Sequence, residues 1–243
     1  MAVIKKFSLF LALTLSITLV TGYSVQKPNV NNNACTVPET YKRAEVITSY
    51  DEAKKLLVEG NNRFSANKAA MKNISSERRE ELSKKGQHPF AIIVSCSDSR
   101  VPPELVFDQA LGDLFVVRDA GNVIDAVTLG SVEYGAEHLN APLIVVMGHE
   151  KCGAVIAAVD GGEASGSIGA ITKKIIPSFE KAKAESPNAT KAELYEKTAD
   201  ENIKNSIAEI KKSSVIKKLE NEKKLKVIGA KYDLDTGIVT FME

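Results

Sequence analysis

The chain has 243 residues, 44% of them hydrophobic and 26% charged, which is enough apolar material for one globular domain with an ample core. Lys plus Arg number 32 against 31 Asp plus Glu, so the composition excludes a broad basic surface for nucleic acid and a single-sign field that would steer a charged partner. Three cysteines are too few for a disulfide-stapled scaffold, and no internal repeat is present.

The chain opens on Met1-Ala-Val-Ile-Lys-Lys6, a short basic start, followed by an unbroken apolar or hydroxyl-bearing run of 14 residues from Phe7 to Val20. That run falls short of the roughly 20 residues a spanning helix needs, and Val20-x-Gly22 supplies small residues for cleavage. Residues 1–22 therefore read as a secretory signal peptide, with Gly22-x-Ser24 as a second cleavage position and an uncleaved membrane anchor as the alternative. Residues 23–44 hold Asn29, Asn31, Asn32, Asn33 and two prolines among few large apolar side chains, the composition of a flexible tether. The expectation is an exported chain, periplasmic or secreted, with no membrane attachment after cleavage. Cys35 is the odd cysteine of the tether, either a free thiol or half of an intermolecular disulfide.

From residue 45 to 243 the pattern is that of a folded domain. Ala53, Leu56, Leu57 and Phe64 share helical spacing and predict a helix over 50–70, capped by Ser49 or Asp51. A polar helix or loop follows as far as Gly86. Ala91-Ile-Ile-Val94 and Leu143-Ile-Val-Val-Met147 are continuous apolar runs that predict strands over 91–96 and 143–148, with a further strand over 114–118. Asp125 opens a predicted helix over 125–139, and another begins at Cys152 or Gly153. Continuous Ile/Val runs belong to strands buried on both faces, hence to a mainly parallel sheet wrapped by helices. Residues 168–222 are rich in Ala, Lys and Glu at helical spacing, and Pro177 and Pro187 are expected to break them into segments. Lys224 to Tyr232, a turn over 233–237 and Ile238 to Phe241 predict a terminal hairpin whose first strand joins the sheet edge. The predicted class is α/β: a mainly parallel central sheet flanked by helices, with a C-terminal hairpin at its edge.

Two clusters of metal-capable residues sit at the ends of predicted strands. Cys96-Ser-Asp-Ser-Arg100 follows the first long apolar run, and His149-Glu-Lys-Cys152-Gly153 follows the second. A lone cysteine after a strand is usually a buried small hydrophobe, and a lone histidine usually a hydrogen-bonded structural residue. Their coincidence at the carboxyl ends of strands, where open α/β sheets place their ligands, points to one shared site. Cys96, His149 and Cys152 supply the borderline-soft donors that suit Zn2+, one per chain. Three protein ligands with one open position is the arrangement of a catalytic zinc.

Cys-x-Asp-x-Arg followed about fifty residues later by His-x-x-Cys-Gly resembles the signature of the β-class carbonic anhydrases, and it stands here without a substitution. The resemblance extends through Glu59-Gly-Asn-Asn-Arg-Phe64, Gln87, Val101-Pro102, Gly112 to Arg118, Ala120-Gly-Asn122 and Glu133-Tyr134, in family order over residues 45–242. It implies reversible hydration of carbon dioxide to bicarbonate and a proton by a zinc-bound hydroxide, since zinc acidifies its water from about 15.7 toward about 7. It also implies catalytic roles for Asp98 and Arg100: the Arg fork keeps the carboxylate ionised and aimed at the hydroxide. Released by Arg100, Asp98 becomes the fourth zinc ligand of a closed form, and both states remain open at this point. Gln87, Phe115, Tyr134 and Gly153 are implied to bind substrate, Gln87 through a hydrogen bond and the two aromatics as an apolar wall shared with a neighbouring subunit. The implied assembly is a homodimer or a higher homo-oligomer. The chain has no Trp, so the non-catalytic bicarbonate pocket of one family branch is expected to be missing. His88 and His138 match no ligand position. Competing readings are a hydrolase of carbonyl sulfide or carbon disulfide on the same site, and a non-catalytic zinc protein.

Overall fold

Seven consecutive buried residues, Leu143–His149, form the central strand of the sheet, and the strands on either side of it are largely buried. The computed structural model describes residues 46–242; the predicted signal peptide, the tether and Cys35 lie outside them. Five strands make one sheet: β1 (Ala91–Ser95), β2 (Leu114–Arg118), β3 (Leu143–His149), β4 (Lys226–Tyr232) and β5 (Val239–Met242), in the order β2-β1-β3-β4-β5. The first four run parallel, and β5 returns antiparallel to β4 after the turn at Asp233 to Gly237. The predicted class is the observed one. The parallel strands are connected by helices α1 (Tyr50–Ser65), α2 (Ser76–Lys85), α3 (Pro103–Val106), α4 (Ala126–Glu137), α5 (Gly153–Asp160), α6 (Ile168–Glu185), α7 (Lys191–Ile210) and α8 (Ser214–Asn221), or preceded by them.

Successive side chains of a strand point to opposite faces, so each buried strand feeds two cores. Ile93, Val145 and Met147 pack with Leu57 of α1 and Phe107, whereas Ile92, Val94, Ile144 and Val146 pack with Val132 of α4, Ile203 and Ile210 of α7 and Ile216 of α8. Each such side chain contributes roughly 1.5–3 kcal/mol by leaving water, and this double burial is what aligns the strand ends rigidly. The register sets Ser95 opposite both Arg118 and Met147, so the chain leaves β1 and β3 at one common edge of the sheet.

Three helices depart from their predicted limits for identifiable reasons. α1 stops at Ser65 rather than at residue 70 because Asn67 takes a left-handed φ of 55° and Lys68 N–H reaches back to the Arg63 carbonyl at 2.8 Å, closing the last turn. α2 resolves the choice between helix and loop: Ser75 caps it, Gly86 ends it, and it buries none of its residues. Pro177 does not break α6. Burial of Ile175, Ser178 and Ala182 carries the helix past the missing N–H, while the segment does end just before Pro187.

The early motif at residues 59–64 proves to be structural. A Cβ on Gly60 would stand 1.8 Å from the Phe107 carbonyl oxygen, so only glycine lets α1 lie against the chain after α3. Buried Asn61 donates to the carbonyls of Val106 (3.1 Å) and Gly237 (2.8 Å) and accepts from Val239 N–H (2.8 Å), tying α1 to the terminal hairpin. Arg63 pairs with the buried carboxylate of Asp108 at 2.6 Å. Among the described residues no helix is long and apolar enough to cross a membrane.

Candidate active site

Cys96 is the first residue past β1, and His149 is the last of β3, so the two stand side by side at the common strand edge. Cys152 follows after a tight bend in which Lys151 adopts φ 51°, and it forms the N-cap of α5. All three are buried, and Cys96 Sγ, Cys152 Sγ and a ring nitrogen of His149 lie within 4.8 Å of one another. The sulfurs are 4.0 Å apart; two ligands at zinc-sulfur lengths on a tetrahedral ion would be separated by about 3.8 Å.

The histidine is oriented for ligation. Its Nδ1 meets the Glu150 carbonyl at 2.7 Å and takes the donor's part there, which leaves the Nε2 lone pair turned inward. Among the described residues, buried Nε2 has no hydrogen-bond partner of ordinary geometry and faces the Cys96 sulfur, an arrangement that costs free energy unless a ligand takes the lone pair. The thiols agree with this. The hydrogen bond from Cys152, helped by His149 and by the Gly121 amide at 3.3 Å, holds Cys96 down to about 4. The same contact and burial push Cys152 up, because a second thiolate beside the first is unfavourable without a cation between them. Two thiols that cannot both ionise alone and an orphaned imidazole nitrogen fit a zinc ion.

Asp98 and Arg100 form a fork beside this cluster. Arg100 Nη2 and Nε donate to Asp98 Oδ2 at 2.7 Å and Oδ1 at 3.0 Å, and the Arg100 backbone N–H adds a third bond to Oδ1 at 2.9 Å. The guanidinium keeps the Asp98 carboxyl at about 2, ionised throughout the physiological range. Its Oδ2 lies 3.9 Å from His149 Nε2, adjacent to the cluster but engaged by Arg100; ligation by Asp98 would require that fork to open.

The other predicted residues lie on the elements around this cluster. Gln87 is exposed between α2 and β1. Phe115 on β2 and Tyr134 on α4 pair with each other, ring centroids 6.1 Å apart, and Tyr134 is 49% exposed. Gly153 opens α5, and a Cβ there would meet no protein atom within 4 Å. His138, the C-cap of α4, packs on the Tyr134 ring at 5.1 Å.

Arg118 was given no role of its own by the sequence. It donates from Nε to the Cys96 carbonyl (3.0 Å) and from Nη2 to the Asp98 carbonyl (2.6 Å), so one guanidinium fixes the loop that carries both side chains. The available signal was a lone Arg closing an apolar strand beside the Cys-bearing one.

Residues 91–239 match the family model described as carbonic anhydrase. The chain is 40% identical to "Carbonic anhydrase 2" of Mycobacterium tuberculosis over 187 residues, which is 75% of this chain and 88% of that protein. It is similar in structure to a β-carbonic anhydrase of Aspergillus fumigatus, with 28% identity and a TM-score of 0.64 over 79% of this chain and 91% of the other. A tetrameric β-carbonic anhydrase of Sordaria macrospora superposes with a TM-score of 0.65 at 25% identity, over 79% of this chain and 97% of the other.

Proposed function

Because the chain belongs to the β-class carbonic anhydrase family, we propose that it catalyses the zinc-dependent reversible hydration of carbon dioxide to bicarbonate and a proton. The observation that carries this reading is the convergence of Cys96, His149 and Cys152 with the Asp98–Arg100 fork beside them, 3.9 Å from carboxylate to imidazole. Cys96, His149 and Cys152 would hold the zinc, which would lower the pKa of a bound water to about 7 and so supply the nucleophile. Asp98, ionised and aimed by Arg100, accepts the hydrogen bond of the attacking oxygen and turns its lone pair toward the carbon. Arg118 holds the loop backbone, so that this aim is built before substrate arrives. Carbon dioxide has no leaving group, and no general acid is needed on the forward path; the proton released passes to solvent. Gln87 donates to a substrate oxygen, and Phe115 with Tyr134 provides an apolar wall.

That wall is half open in one chain, which supports a homodimer or larger assembly. Val127, 78% exposed, and Tyr134 stand two turns apart on one face of α4, and a second copy covering them would complete the pocket. The basic start and apolar run of residues 1–22 support export through a cleaved signal peptide, with 23–44 as tether.

Stopped-flow hydration by the zinc-loaded chain tests the activity, with Asp98→Asn expected to lose about 100-fold while keeping its zinc and fold. Faster turnover of carbonyl sulfide or carbon disulfide would replace the substrate, and turnover of none of the three would sink the enzymatic reading.

A further inference from the structure

We infer that Asn202, on α7 and far from the signature motifs in sequence, is a positioning residue for the metal-binding thiolate, acting on Cys96 through Gly121. The inference rests on Cys96 being a zinc ligand.

The turn Ala120–Asn122 lies between the sheet edge and α7. The Gly121 N–H points at Cys96 Sγ, 3.3 Å away. Such a bond withdraws charge from a thiolate and fixes the direction of its lone pairs, as outer-shell partners of metal ligands do. Yet that amide hangs on the residue with least torsional restraint. Gly121 sits at φ 71° and Asn122 at φ 44°, two left-handed residues in succession, and the local bond from Asn122 N–H to the Asp119 carbonyl (2.9 Å) does not engage the Gly121 carbonyl.

Two side chains of α7 hold it. Asn202 Nδ2 donates to the Gly121 carbonyl at 2.7 Å, and Ser206 Oγ, one turn further on the same helix face, donates to the Asn122 carbonyl at 2.9 Å. The two bonds differ in what they fix. Asn202 sets the torsion of the very residue whose amide meets the sulfur, whereas Ser206 holds the residue after it. Asn202 is 1% exposed, and its Oδ1 is buried without a partner. An apolar residue would avoid that cost, so the amide is explained by its donor. Ile175 Cδ1 and the Ala154 Cβ would stand 2.8 Å and 3.1 Å from a Cβ on Gly121, which closes the far side of the turn and leaves the α7 clamp as its adjustable support.

Asn202→Ala and Ser206→Ala each remove one bond from the same helix to the same turn, and comparing them separates positioning from support. Both should lower the melting temperature. Only Asn202→Ala should speed zinc release to a chelator, by about 10-fold, and shift the sulfur-to-metal charge-transfer band of the cobalt-substituted chain. Equal effects of the two variants on both readouts, or none, would overturn the inference. In the cadmium-substituted wild-type chain the Gly121 amide proton should show scalar coupling to the metal through the sulfur. Absence of that coupling overturns it even where Asn202→Ala does not fold. A wild-type chain that retains no zinc would instead refute the ligand assignment, a different failure.

Discussion

The strand-end cluster and the α4 face are built in opposite ways. Cys96, His149 and Cys152 are 5%, 1% and 3% exposed, and every neighbour that orients them belongs to the same chain. Val127 and Tyr134 are 78% and 49% exposed, and their ring partners Phe115 and His138 lie on the same partly open surface. The first region is finished by folding alone. The second presents apolar area that only an additional surface can cover. The residues proposed to bind metal and aim a nucleophile are thus held within one chain, and the proposed enclosure of an apolar substrate would need a second copy.

The largest effect should come from the finished region. Cys96→Ala removes one of three donors, and we expect zinc content to collapse and hydration to fall at least about a thousandfold, with the circular dichroism of the fold kept. Metal analysis beside stopped-flow rates checks it; full zinc with full activity would move the centre elsewhere. A smaller effect is expected at the α4 face, where Val127→Lys places a charge in the surface assigned to the second copy. Zinc should remain stoichiometric while sedimentation shows dissociation and activity drops about 10-fold. An unchanged oligomer would erase the contrast between the regions.

The most local effect is a shift in titration at the fork. The Asp98 carboxyl titrates at about 2 because Arg100 stabilises its charged form, against about 3.9 for a free side chain. A depressed native value stabilises the fold above the unfolded pKa, and that contribution disappears as pH falls through the native one. In the wild type the Asp98 charge is therefore complete above about pH 4 and lost toward about pH 2. Arg100→Ala should move the carboxyl's NMR titration midpoint up to about 4. A midpoint still at about 2 would assign the depression to the loop backbone instead.

Much of the site was legible from local chemistry. The two metal-capable clusters stand where apolar runs end, and the folded strands bring those ends to one edge, so Cys96, His149, Cys152, Asp98 and Arg100 meet as expected. The helix limits were less legible. Pro177 is a helix breaker by its own covalent structure, and α6 ignores it because Ile175 and Ala182 are buried against neighbours that no local window contains. Arg118 and Asn202 escaped notice for a related reason: each acts by a hydrogen bond to a backbone carbonyl, 22 and 81 residues away, and backbone carbonyls carry no residue identity.

The amino-acid sequence alone determined which side chains are fit for the proposed chemistry, because thiolate, imidazole and carboxylate are properties of residue types, and their position after apolar strands follows from two-face burial. It determined the α/β class on the same ground. Tertiary structure decided the rest: which imidazole nitrogen faces the thiols, that Asp98 rests in the grip of Arg100, and which distant helix steadies the turn at Gly121. Those are matters of distance and direction between segments far apart in the chain, and they come into being only when burial of the sheet brings the segments together.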